Sequence, residues 1–256
     1  MGHIHLLTLP GSKRWREVAA LIGEGGAAEA VAAAAARAAE DDLAVAARDA
    51  GYLEAIRLLA LVPVAARSER FGAELRSLGL AVPDAPGLID ILSAAGRHLD
   101  RTTARSDFGE LSRRALVGAF NRWIGDALPS LLAPEPSDVR AAARRLSHGS
   151  GFAGLARSFF GRLAGETLAY WLDRKLSAAT GAGLAFEDAA ARSGFDRALR
   201  QYCSEATRII REFAPGWLGK TLHREGTVTR KDAAAFGHVA MKKIGEELRR
   251  KRDPDA

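Results

Sequence analysis

Residues 195–213, FDRALRQYCSEATRIIREF, decide the fold class. Phe195, Leu199, Tyr202, Ala206, Ile209 and Phe213 follow one another at spacings of four, three, four, three and four, the period of one face of an α-helix. The same recurrence runs through nearly the whole chain, and alternation over a full strand length is almost absent. The expectation is an all-α protein of about nine or ten helices, either globular or an irregular helical-repeat-like array. No positional signature recurs at 30–50 residues, so a repeat is left open only for residues 27–100.

Upstream of that stripe, a Gly-rich turn at residues 148–151 leads into a long helix with Leu155, Phe159, Leu163, Leu168, Trp171 or Leu172, and Leu176. Downstream, Pro215-Gly216 is expected to close the helix. Thr229 with Asp232 three residues on then fits a capping box, opening a last helix with Phe236, Ala240, Ile244 and Leu248 on one face. In the first half, Ser12 can cap a helix through about Ile22, and an alanine-rich helix follows to about Arg48. A strong helix is expected from Asp107, and another from a Ser137 cap. Residues 129–136, with three prolines, are the best linker. They divide a helical half, 1–132, from a second half, 137–256, although the two can form one continuous domain. Met1–Leu9 has no basic residue before its apolar run and no cleavage site, so it reads as an extended arm and not as a signal peptide.

The 256 residues carry 37 Lys+Arg against 31 Asp+Glu, a net charge of +6, which excludes an acidic solvating chain. Residues 1–128 are near neutral at −1, whereas 129–256 carry +7. The Ala, Arg and Gly usage is that of a GC-rich, bacterial genome. A single cysteine, Cys203, forms no intrachain disulfide and fits a reducing cytoplasm. No uncharged run reaches the length of a membrane span.

The catalytic motifs present are incomplete. Residues 149–154, GSGFAG, match G-x-G-x-x-G, and Asp173 lies where a ribose-binding acid would sit. That fingerprint requires a preceding strand, and a helix precedes it here, so a turn between closely packed helices is the better reading. His3 and His5 could face one metal, but no further ligand pattern joins them. Tyr170-Trp171 beside Asp173, Arg174 and Lys175 is read as core, and Cys203 as a small buried residue. No metal and no cofactor is expected.

The densest chemistry is at the C-terminal end, where residues 220–252 hold ten basic and four acidic side chains. Trp217, Lys220, His223, Arg224, Arg230, Lys231, Lys242, Lys243, Arg249 and Arg250 are the candidate anion- or nucleic-acid-binding residues. Lys and Arg neutralise phosphates and a Trp can stack on a base. The expectation is a cytoplasmic, non-catalytic interaction subunit that meets an acidic protein partner or nucleic-acid phosphates through this basic surface. The alternative is an enzyme acting on nucleic acid or a nucleotide, with Glu166, Asp173, Lys220, His223 and Glu225 converging only in the fold.

Overall fold

The structure, a computed structural model, describes residues 12–129 and 134–250. The expected N-terminal arm with His3 and His5, residues 130–133 of the expected linker, and Lys251-Arg252 lie outside the described residues. Twelve α-helices and one 3-10 turn account for most of the rest, and no named strand occurs among the described residues. They are α1 (Lys13–Gly23), α2 (Ala28–Ala38), α3 (Glu40–Ala46), α4 (Ala50–Ala65), α5 (Phe71–Ser77), α6 (Leu88–Thr102), α7 (Asp107–Gly125), α8 (Pro136–Arg145), α9 (Gly149–Ala178), α10 (Ala189–Ala206), the 3-10 turn Thr207–Ile209, α11 (Ile210–Glu225) and α12 (Arg230–Arg250). The chain is all-α, as its periodicity implies.

Side chains set most helix starts. Ser12 Oγ accepts the Trp15 N–H at 3.4 Å, and Asp49 Oδ1 accepts that of Tyr52 at 2.9 Å. At α12 the expected box closes: Thr229 Oγ1 accepts the Asp232 N–H at 3.2 Å while Asp232 Oδ2 accepts the Thr229 N–H at 3.0 Å. Two starts differ from expectation. Ser106, one residue before Asp107, caps α7 through the Gly109 N–H. Helix α8 starts at Pro136, which has no N–H to leave unsatisfied in the first turn, instead of after Ser137.

The helix through residues 195–213 does not end at Pro215. It breaks earlier, at the 3-10 turn, where the buried Thr207 hydroxyl donates to the Ser204 carbonyl at 2.8 Å and competes with the helical ladder. Pro215 lies inside α11, which continues to Glu225 and ends on Gly226 at φ 68°. The alanine-rich helix also breaks, at Ala39 between α2 and α3.

Two helices are buried on nearly all sides. Leu155, Phe159, Phe160, Leu163 and Leu172 of α9 are inaccessible to solvent, and α9 lies among α7, α10 and α11. Helix α4 is lined on every face by residues such as Tyr52, Ile56, Leu58 and Leu59, and it meets α7, α8 and α12. A helix that is apolar all round can be stable only when others enclose it. Helix α2 packs on α10 and α12, far away in sequence. Residues 27–100 are therefore not a stack of repeats that touch only their neighbours. One hydrophobic cluster draws on helices from α1 to α12.

Candidate anion-binding groove

The ten C-terminal candidates lie on α11 and α12. The Trp217 indole is half-buried and stacks on Phe236, with ring centroids 4.1 Å apart, so the ring already belongs to the core edge. Arg224 pairs with Glu225 and Asp232, both at 2.8 Å, Arg249 with Glu40 at 2.9 Å and Arg250 with Glu247 at 3.3 Å. Lys220, His223, Arg230, Lys231 and Lys242 are exposed and Lys243 is half-exposed. Three of the ten thus meet carboxylates, and the others are spread along two helices.

A more concentrated positive site lies elsewhere, and it begins in α9. Gly154, Ser158, Gly161 and Gly165 recur at four, three and four, so one face of this helix carries almost no side chain. The neighbours close in there. A Cβ on Gly154 would strike the Trp123 ring, one on Gly161 would lie 3.2 Å from Thr207 Oγ1, and one on Gly165 would lie 3.5 Å from the Arg200 stem. The face becomes the floor of a groove of about 410 Å³, walled by Arg122 and Trp123 at the end of α7, Arg200 and Ser204 of α10, and Arg211 of α11. Arg157, Arg162 and Glu166 project from α9 along its edges.

The groove holds five arginines, Arg122, Arg157, Arg162, Arg200 and Arg211, and one carboxylate, Glu166. No arginine of the five forms an ion pair among the described residues, whereas ten other basic side chains of this chain do. Arg157 Nη2 donates to the Ser204 carbonyl at 3.2 Å. Burial first, and then the neighbouring charges of Arg211 and Arg208, push the Arg157 pKa below the ordinary guanidinium value, partly opposed by Glu205. Mutually repelling cations held together by a rigid scaffold lower their repulsion when an anion enters.

Glu166 is half-buried, and its Oε2 is shielded from solvent with no hydrogen-bond partner among the described groups. Burial raises its pKa; the charges of Arg114 and Arg162 oppose that rise and Glu110 adds to it. Of the five residues that would have built an enzyme, only Glu166 lines the groove. Asp173 is paired with Arg192 at 3.1 Å and Glu225 with Arg224 at 2.8 Å. Among the described residues no three His, Cys, Asp or Glu side chains come together as a metal site.

The other motifs settle into packing. Gly149–Gly154 is the first turn and a half of α9 after a helix, with the Gly151 α-carbon pressed against the Arg145 carbonyl. Trp171 is buried edge-on against Trp15, at 5.6 Å between centroids, and the half-buried Tyr170 hydroxyl donates to Asp107. Cys203 is buried among apolar groups, which pushes its thiol up to about 12. No helix among the described residues is long and apolar enough to cross a membrane.

Reading charge density along the chain finds the C-terminal segment and misses the groove, whose arginines are dispersed from position 122 to position 211. The usable signal is local: a small-residue face at helical spacing on α9 with Arg157 and Arg162 flanking it. No family model, no curated protein and no solved structure matches the chain.

Proposed function

We propose that this protein is a non-catalytic helical interaction subunit that grips an anionic partner along the α9 groove. The observation that carries the reading is the set of five arginines lining one concavity without an ion pair among the described residues. A folded chain gains nothing from that arrangement, because surface charges are otherwise interspersed or paired at little cost. A guanidinium fork matches the paired oxygens of a phosphate or carboxylate. The exposed Lys220, Arg230, Lys231 and Lys242 add a broader positive field that steers the same partner.

The test is binding of inorganic polyphosphate, a polyanion without shape or sequence, to the full chain at low and moderate salt. Binding should weaken steeply as salt rises. The double substitution Arg157→Glu with Arg211→Glu should abolish it, and Lys242→Glu with Lys243→Glu should weaken it only several-fold. If the α12 pair is the one that abolishes binding, the anion surface lies at the C-terminal end and the groove reading is wrong.

A further inference from the structure

We propose that the groove takes single-stranded nucleic acid, its phosphates on the arginines, a base stacked on Trp123 and a ribose hydroxyl or base N–H donating to Glu166. This deepens the anion-binding reading and rests on it. Three features, each pointing to a different part of a nucleotide, lie in the one groove.

The first is the spread of positive charge. From Gly154, beneath Trp123, to Glu166 is twelve residues of α-helix, about 18 Å at 1.5 Å per residue. That is the length of about five nucleotides at 3.4 Å per stacked step. A small anion needs cations that converge on a point. The five arginines instead come from four helices, α7, α9, α10 and α11, along the trough, and all are Arg with no Lys among them.

The second is Trp123. The aromatic partners of the other tryptophans are on hand: Trp15 with Trp171, and Trp217 with Phe236. Trp123 has no aromatic partner among the described residues; it is half-buried at the groove wall, the rim of its six-membered ring resting on Gly154. The ring packs on the core at one side and lines the groove at the other, and stacking on a nucleobase is tolerant of sequence. A duplex keeps its bases stacked on one another and offers no such face, so the ligand is single-stranded.

The third is Glu166. A carboxylate among phosphate-binding arginines repels the phosphates, so a ligand seated in the groove has to bring a donor to the exposed side of Glu166. Nucleic acid does so within a residue of each phosphate, through the 2′-hydroxyl of RNA and the amino and imino groups of bases. Polyphosphate and polyglutamate side chains supply charge alone.

The experiment compares a labelled eight-nucleotide RNA with inorganic polyphosphate and polyglutamate on the full chain, at about 50 and 200 mM salt. With three or four phosphate contacts, RNA affinity should fall about 20- to 50-fold across that range. Trp123→Leu should weaken RNA binding about tenfold or more and leave polyphosphate binding unchanged, while Trp123→Phe, which keeps a flat ring, should stay close to wild type. Glu166→Ala should act with opposite signs, weakening RNA and tightening polyphosphate. If RNA binds no better than polyphosphate and Trp123→Leu affects both alike, the nucleic-acid assignment is overturned while anion binding stands. If none of the three polyanions binds, both readings fall.

Discussion

The Tyr52 hydroxyl donates to the Gly237 carbonyl at 3.0 Å, a buried hydrogen bond between α4 and α12 across 185 positions of sequence. The two helices can approach this closely because Gly237 has no side chain: a Cβ there would lie 2.7 Å from Ile56 Cδ1 and 2.8 Å from the Tyr52 oxygen. Gly237→Ala should therefore destabilise the fold by about 1–3 kcal/mol through overpacking. Tyr52→Phe should cost about 0.5–1.5 kcal/mol. Urea denaturation of both variants checks the order of the two effects.

The cap of α12 supplies a second test. Thr229 Oγ1 also donates to Asp232 Oδ2 at 2.6 Å, so one hydroxyl serves both ends of the box. Thr229→Ala should cost about 1 kcal/mol and Thr229→Ser much less, read as shifts in the urea midpoint at unchanged slope.

Acid stability should centre on Glu54. Burial raises its pKa, but hydrogen bonds from His98 and Arg57, at 2.8 and 2.9 Å, together with their charges, outweigh burial and bring it down to about 2. A carboxylate held lower in the folded than in the unfolded chain stabilises the fold fully above the ordinary value of 4.5, and that stabilisation is lost as pH falls toward 2. The wild type should lose stability between pH 6 and pH 3. Glu54→Gln should be less stable at pH 6, with a smaller difference between the two pH values; denaturant midpoints at each pH measure both.

Cys203 should not react with an aromatic disulfide reagent in the native protein, because its thiol is buried and held at about 12. Labelling should begin only where urea unfolds the chain, so that the rate of colour release follows the unfolding curve. Fast labelling in native buffer would show that α9 and α10 separate readily.

The groove arginines should be dispensable for folding. Arg157→Gln removes a partly buried charge that faces Arg211 and Arg208. Its stability should equal or slightly exceed wild type, within about 0.5 kcal/mol, while polyanion binding weakens. Opposite movement of these two quantities would mark a residue kept for function.

Apolar period and capping chemistry are legible in the amino-acid sequence. The stripe from Phe195 to Ala206 and the Thr229–Asp232 box are both local, and both occur in the fold; past the 3-10 turn the buried face moves one residue on, from the expected Ile209 and Phe213 to Ile210 and Ala214. What could not be read is where the chain chooses between two weak breaks. Thr207 overrides Pro215 because its hydroxyl is buried against α9, with Oγ1 facing Gly161, a tertiary circumstance. The groove was hidden for a related reason. Arg122, Arg157, Arg200 and Arg211 become neighbours only after α7, α10 and α11 have packed around α9, and each alone looks like an ordinary solvated arginine. The C-terminal basic segment stood out because its charges are adjacent in sequence, yet Arg224, Arg249 and Arg250 face carboxylates there.

The small-residue face of α9 has a mechanical consequence. Binding surfaces on loops can drift, lengthen or order themselves around a visitor, but this trough is cut into the keel of the molecule, the 30-residue helix on which the other helices are laid. Its bed can neither yield nor be remodelled without disturbing Phe159, Phe160 and Leu163 on the reverse side of the same turns. Adaptation to a new ligand is thus confined to the tips of the arginines and to the tryptophan on the rim. A visitor that fits finds the backbone already in place and loses little to ordering it.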